Sequence, residues 1–516
     1  MSYSTVHSCT LSGVQALAVT VEVHTSGGLP GMSIVGLPQS AVRESKDRVK
    51  AAIQHIGLKY PQVKIIVNLA PADLPKRGGR FDLPIALGIL QATDQIPAGA
   101  LDDLVVLGEL GLTGQLRSVT GVLPAAYAFA HSDFSLFIPA VNAEEALRSA
   151  CTQVHCAENL FEAVQRLRMR SSVPLHLSGK ELSAMPATGT SQCSPSHASS
   201  VDMADVLGQH QARRALEIAA AGSHNLLMIG PPGTGKSMLA CRLPTIQPAM
   251  SEREAMEAAS VASISHAGFD ASSWGVRPFR APHHTASGVA LVGGGAHPMP
   301  GEISLAHNGV LFLDELPEFS RTVLDVLREP METGQITVSR AARQAEFPSR
   351  FQLVAAMNPC PCGYFNDPSI PCRCGVDQIV RYQARLSGPF LDRIDLHIEL
   401  HREVYADGAL DKKQSGETSA EIRARVVNAR ELQILRQNKT NSDLDISQIR
   451  NHAMPDSEGR QLLQRASDAL NLSLRAQHRL IRTARTIADL DASEVICEAH
   501  ISESLSYRPM TMINSL

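Results

Sequence analysis

The run Gly230, Pro231, Pro232, Gly233, Thr234, Gly235, Lys236, Ser237 limits what this chain can fold into more than any other stretch. The apolar residues Leu226 to Ile229 precede it, and a helix is expected from Ser237 to Arg242. Strand, glycine-rich loop and helix, in that order, form the setting in which a phosphate loop works. The glycines let backbone N–H groups turn inward onto phosphate oxygens. The helix N-terminus adds positive potential at the same place. Lys236 is expected to reach the β and γ phosphates of ATP, and Ser237 to ligate Mg²⁺. A chance glycine-rich turn has no need of the lysine, the hydroxyl and both flanking elements together.

A second stretch fits the same chemistry. Gly309 to Glu315 (GVLFLDE) reads as a central parallel strand buried on both faces and ending in two acids. Asp314 can hold Mg²⁺ directly or through water, and Glu315 is placed to activate the attacking water as a general base. Paired acids at a strand end otherwise serve as a loop cap or a salt-bridge partner. The phosphate loop upstream favours the catalytic role. A third strand is expected from Phe351 to Ala356, and Asn358 just beyond it can orient the lytic water.

Around this core the chain divides by composition. Residues 1–171 alternate short apolar strands, such as Val63 to Leu69 and Leu104 to Gly108, with helices such as Ser40 to Ile56. Residues 172–202 are rich in Ser, Pro, Thr and Ala and read as a linker. Residues 203–400, opening with a helix expected from Asp205 to Ala221, carry the α/β pattern. Residues 401–516 are strongly helical and read as a separate lid. A length of 516 residues agrees with roughly three domains at about 150 residues each.

No stretch reaches the roughly 18 uninterrupted apolar residues of a membrane span. The start, Met1 to Gly13, lacks the charged and apolar regions of a signal peptide, so a cytoplasmic location without membrane partners is expected. The formal charge of −4 excludes a whole-chain basic footprint for nucleic acid, so any such contact must be local. Aromatic residues, at 4%, are too few for a protein whose main work is stacking bases.

Two inserts stand out. Residues 277 to 309 are glycine-rich and carry Arg277, Arg280, His283 and His284. A stretch of that length in a compact domain is usually functional or mobile. Adjacent histidines rarely point at one ion, so a structural or DNA role is favoured for His283 and His284. Gln335 to Ser339 and Glu346 to Phe351 read as a β-hairpin with Arg340 and Arg343 at its tip. The tip is either a phosphate contact or simply a solvated turn. Separately, Cys360, Cys362, Cys372 and Cys374 form a C-x-C-x9-C-x-C loop among Gly, Pro, Asn and Asp. Four thiolates can close a tetrahedral site, so structural Zn²⁺ is expected there. Four free thiols are the alternative, although exposed thiols in such density are unusual.

Phosphate loop, acidic strand and a strand ending in Asn together resemble the AAA+ ATPases, in which that Asn is sensor 1. The resemblance extends to Arg393 in FLDRID, similar to the arginine finger of the magnesium-chelatase and replicative-helicase branch, and to Arg475 in NLSLRAQHRL, similar to sensor 2 on the helical lid. Without the family, both are surface arginines on amphipathic segments. A finger acting on a neighbouring subunit implies an oligomer, and the family implies a homo-hexamer. In the helicase-like branch the two inserts project into the ring pore and grip DNA phosphates. Phe81 to Leu90 and residues 106 to 128 resemble the proteolytic domain of Lon-type proteases. The expected Ser near Phe81 or Asp82 is missing, and Val122, Leu123 and Pro124 stand where the Lys should be, so no peptidase is expected.

The fold class that follows is α/β multidomain: an AAA+ P-loop core, an N-terminal Lon-like α/β domain and a C-terminal helical lid. GRFDLPIALGIL, PFRAPHH, GEISLAHNGVLFLDELPEF, NPCPCG and ARTIADL resemble the magnesium-chelatase-like, or YifB, family of competence-associated proteins. The resemblance implies a hexameric helicase that drives branch migration on single-stranded and branched DNA during natural transformation, alongside recombinase proteins. A chelatase motor, a protein-remodelling motor, an ATP-dependent protease and a non-enzymatic scaffold are the alternatives. The protease is disfavoured by the missing dyad, and the scaffold by the intact set Lys236, Asp314, Glu315, Asn358 and Arg393.

Overall fold

Alternation of buried and less buried residues at the N-terminus builds a hairpin, Ser2–Ser12 against Gln15–Ser26, and a sheet grows from it. The computed structural model describes residues 2–149, 153–170, 201–295, 298–340, 343–402 and 416–508. These form two compact units, one of Met1–Ser194 with Ala259–Trp274, the other of Pro195–Ala258 with Gly275–Leu516. The expected linker lies almost wholly outside the described residues. The passage of Ala259–Trp274 into the first unit has no counterpart in the sequence reading.

The first unit holds a seven-stranded mixed sheet in the order Gly31–Val35, Lys64–Ala70, Gln15–Ser26, Ser2–Ser12, Leu104–Val106, Ser135–Pro139, Val154–Ala157. The helix Asp82–Gln91 packs on it and is buried all round from Asp82 to Leu90, as its continuous apolar sequence requires. Asp82 survives this burial because its carboxylate is fully occupied. Arg48 donates to it at 2.7 and 3.1 Å, Leu110 N–H at 3.2 Å, and Ser45 Oγ donates as well. A buried carboxylate so satisfied is a structural anchor.

The second unit carries a five-stranded sheet in the order Phe279–Arg280, Val310–Leu313, Gln352–Met357, Leu226–Ile229, Leu396–Glu399. Every pairing in it is parallel. The three middle strands are buried at nearly every residue, which is why they read as unbroken apolar runs. In such a sheet the loops at the carboxyl ends of the strands form the ligand crevice. The phosphate loop, the acidic pair and Asn358 all leave the sheet there.

Two expectations shift. The helix expected from Asp205 starts at His210, because Gly208 and Gln209 adopt left-handed φ values of 62° and 50° and break it. Asp205 instead closes a short turn and accepts from Arg242 at 3.0 Å. The tail is helical, with helices from Ser419–Gln437 to Glu498–Ser506, but it belongs to the same compact unit as the sheet. Ile422, Val426, Ala429 and Ile487 share one core with Leu226, Met228 and Val354. The Arg430 guanidinium donates to the carbonyls of Ala220 and Ala221, which ties the tail to the helix before the phosphate loop. The helical composition of 401–516 suggested a separate lid; in the described residues these apolar and arginine contacts join it to the sheet. Among the described residues, no helix is long and apolar enough to cross a membrane.

Candidate nucleotide site

The phosphate loop closes on Lys236. Gly233 and Gly235 take φ of 81° and 85°, values that a side chain resists, and turn the loop over the start of the helix Lys236–Ile246. Lys236 is nearly buried, and its ammonium donates to Gly230 O at 2.7 Å, Pro231 O at 2.9 Å and Asn358 Oδ1 at 3.2 Å. Burial lowers its pKa, and the charge of Asp314 opposes that. The lysine therefore sits on loop carbonyls in a place where phosphate oxygens would satisfy it better. Pro231, Pro232 and Thr234 complete the loop, with Thr234 Oγ1 donating to Pro231 O at 2.9 Å.

Ser237 and Asp314, 77 residues apart in sequence, meet at 2.7 Å from Oγ to Oδ2. A hydroxyl and a carboxylate in contact at the end of a phosphate loop are the oxygen donors that a small divalent cation takes. Asn358, at the end of the strand Gln352–Met357, reaches the same place through its bond to Lys236. These four residues are brought together at the carboxyl edge of the sheet.

Glu315 is different. Its backbone is left-handed, with φ of 52°, and its Oε2 lies 2.9 Å from His284 Nδ1. A side chain in that conformation is strained and persists only where its surroundings enforce it. His284, expected to be structural or a DNA contact, contacts the acid expected to be the general base. Its ring lies against that of His283, tilted by 34° with centroids 4.1 Å apart, and His283 Nδ1 lies 2.8 Å from Thr285 Oγ1. The sequence did contain a signal for this. PFRAPHH contains the strand Phe279–Arg280, which pairs in parallel with Val310–Leu313, so the histidines that follow the strand emerge beside the acidic pair.

The two arginines read as finger and sensor converge on one carboxylate. Arg393 Nη2 lies 2.6 Å, and Arg475 Nη2 2.7 Å, from the same oxygen, Glu332 Oε1. The hydrogen bond from Arg475, with the charge of Arg393, holds Glu332 below the usual carboxylate range. Among the described residues neither arginine bonds to the phosphate loop. Glu332 was not singled out in the sequence, since one acid on the short helix Arg328–Thr333 carries no pattern of its own.

The first insert is largely committed to the fold. Arg277 donates to Pro248 O at 2.8 Å and Asn308 O at 2.7 Å, and Arg280 grips Glu302 with two bonds of 2.6 and 2.8 Å. Guanidinium groups held this way have few donors left for a phosphate. The second insert is a hairpin, Gln335–Arg340 with Arg343–Pro348, in which Arg340 and Arg343 are the last register partners. Its connecting residues 341 and 342 lie outside the described ones.

The four cysteines do cluster. Their sulfurs all lie within 4.8 Å of one another, with separations of 3.3 Å for Cys360–Cys362, 3.7 Å for Cys360–Cys372 and 3.5 Å for Cys362–Cys372. Thiolates around one tetrahedral ion stand about 3.8 Å apart, given metal–sulfur bonds of about 2.3 Å. The donor set fits such an ion. Burial raises the Cys362 thiol, but backbone N–H groups of Arg373 and Tyr364 outweigh it and hold it down at about 6. Burial pushes Cys372 up to about 12 and Cys374 up as well. Several thiolates this close ionise together only when a cation neutralises them.

Comparison with known proteins agrees with this layout. Residues 202–407 match the family described as magnesium chelatase, subunit ChlI, residues 21–142 match subunit ChlI of Mg-chelatase, and residues 416–508 match the ChlI C-terminal family. The chain is 48% identical to the competence protein ComM of Haemophilus influenzae over 99% of both chains. It is also 48% identical to the protein YifB of Escherichia coli, over 98% of this chain and 97% of that one. A more distant similarity, 25% identity over 40% of this chain, links it to the DNA replication licensing factor Mcm6 of Drosophila melanogaster, a quarter of which is covered.

Proposed function

The chain belongs to the magnesium-chelatase-like AAA+ family that includes ComM and YifB, and on that premise we propose that it is a DNA motor driven by ATP hydrolysis. Membership implies an ATPase that uses ATP and Mg²⁺. The observation that supports a working site here is the meeting of Lys236, Ser237, Asp314 and Asn358 at the carboxyl edge of the parallel sheet. Lys236 would hold the terminal phosphates, and Ser237 and Asp314 would hold Mg²⁺. Bound Mg²⁺ neutralises charge that develops on the phosphates. Glu315, once freed from His284, would take the proton of the attacking water, and Asn358 would orient that water. Arg393 would serve the nucleotide of a neighbouring subunit in a homo-hexamer.

DNA is the substrate supported best. ComM is named as a competence protein, and Mcm6 as a DNA replication licensing factor. The hairpin brings Arg340 and Arg343 to one end as its last register pair. Phosphate contacts of that kind grip without reading sequence, which suits translocation. The motor would act on single-stranded and branched DNA during natural transformation, as a branch-migration helicase beside recombinase proteins in the cytoplasm. The cysteine loop would hold Zn²⁺. The N-terminal unit would serve assembly or DNA contact rather than peptidolysis, because Asp82 is tied to Arg48 and Ser45 at the place where a Lon-type nucleophile would stand.

The ChlI matches favour a second reading, a chelatase-like motor. ATP hydrolysis measured with and without single-stranded and branched DNA separates the two. A DNA motor is stimulated, and a chelatase-like motor is indifferent. Reversing charge with Arg340→Glu and Arg343→Glu is expected to remove the stimulation and spare basal hydrolysis. Stimulation that survives the double change would place the grip elsewhere.

A further inference from the structure

The cysteine loop is continuous with the nucleotide site. Asn358 ends the strand that carries it, and Cys360 follows two residues later. Gln383 fixes the intervening carbonyl, donating to Pro359 O at 3.0 Å. The loop then doubles back over the phosphate loop. Gly363 has φ of 87°, and a Cβ placed on it would lie 2.6 Å from Pro232 Cδ and 3.8 Å from Asn358 Cγ. Only a bare backbone approaches that closely.

A third element clamps the two loops together. Arg402 donates from Nη2 to Pro232 O at 3.2 Å. Its guanidinium lies 5.4 Å from the centre of the Tyr364 ring, and its Nε is 3.8 Å from Asp367 Oδ2. Tyr364 and Asp367 lie between the two cysteine pairs, so one side chain touches the phosphate loop and the cysteine loop at once. A shared cavity runs along the seam, lined by Gly230, Pro231, Met357, Pro359, Phe365 and Asp367. It meets the phosphate loop on one side and the cysteine loop on the other.

We propose that the metal ion held by Cys360, Cys362, Cys372 and Cys374 sets the position of the phosphate loop and Asn358, so that its occupancy governs affinity for ATP. The inference rests on the reading of these cysteines as a metal site. The physical route is short. A tetrahedral ion fixes the chain on both sides of Gly363 and Tyr364, and Gly363 and Arg402 carry that fixed position to Pro232. Without the ion, holding the loop against Pro232 would fall to Arg402 and the packing of Gly363. A phosphate loop displaced by about 1 Å loses much of its fit to a polyphosphate.

The test uses the full chain and reads metal content and nucleotide affinity separately. Bound metal is measured by elemental analysis, and affinity by titration with a fluorescent ATP analogue, before and after chelation and for Cys362→Ser with Cys372→Ser. Stripped protein with unchanged circular dichroism is expected to bind the analogue about tenfold more weakly or worse, and zinc is expected to restore it. Arg402→Ala breaks the clamp without touching a cysteine. It is expected to keep its metal and still lose affinity. Stripped protein that binds the analogue as tightly as the loaded form, or Arg402→Ala with normal affinity, overturns the coupling. Full-length protein that neither carries nor takes up metal overturns the reading beneath it, whatever its affinity for nucleotide.

Discussion

Glu315→Gln is expected to bind ATP normally and to lose hydrolysis by about 10²-fold or more, the usual contribution of a general base. The amide keeps the size of the side chain, and Lys236, Ser237 and Asp314, which would make the contacts to phosphate and Mg²⁺, are untouched. Binding of a fluorescent ATP analogue and phosphate release, measured on the same preparation, check both halves. Loss of binding along with turnover would mean that Glu315 shapes the site rather than acting on water. Turnover that survives would move the base elsewhere. His284 is the first place to look, because it already holds the Glu315 carboxylate at 2.9 Å.

Arg393→Ala is expected to lower turnover by about 10³-fold or more, the range of an arginine finger. The informative measurement is a mixture. Lys236→Ala chains lack a working phosphate loop but still carry Arg393. Arg393→Ala chains have the loop but lack the arginine. In a ring built by head-to-tail contacts, random equal mixing places an intact loop beside an intact arginine at about a quarter of the interfaces. Each variant alone is then silent, and the mixture turns over ATP. A mixture as silent as its parts would confine Arg393 to its own subunit.

The nucleotide site was legible because its signals are local. Lys236 needs only its own loop, and Asp314 only its own strand. Parallel pairing of Val310–Leu313 and Leu226–Ile229 with the strand Gln352–Met357 between them then brings them together without further information. What the sequence hid depends on side chains reaching across the fold. His284 meets Glu315 because of the register of a two-residue strand. Glu332 meets Arg393 and Arg475 across 61 and 143 residues. Arg277 and Arg280 looked available in a glycine-rich insert, yet the fold spends them on backbone carbonyls and on Glu302. The helical tail was legible because a stretch with few Gly or Pro is visible in sequence, whereas the sharing of Ile422 and Ile487 with the core of the sheet is not.

Glu332 gives each chain an internal imitation of the ligand that its arginines are suited to meet. One carboxylate oxygen presents negative charge to two guanidinium groups at 2.6 and 2.7 Å, much as a phosphoryl oxygen would. An arginine engaged in this way is not idle, and anything that recruits it must first displace the imitation. A polyphosphate, with more charge and more acceptor oxygens than one carboxylate, would be the better competitor in that exchange. If Arg393 serves a neighbouring subunit, as proposed above, the subunit would acquire a threshold, in which contact with a neighbour is not enough and contact with a loaded neighbour is. In a ring, that threshold would make each subunit a coincidence detector for the occupancy of the next.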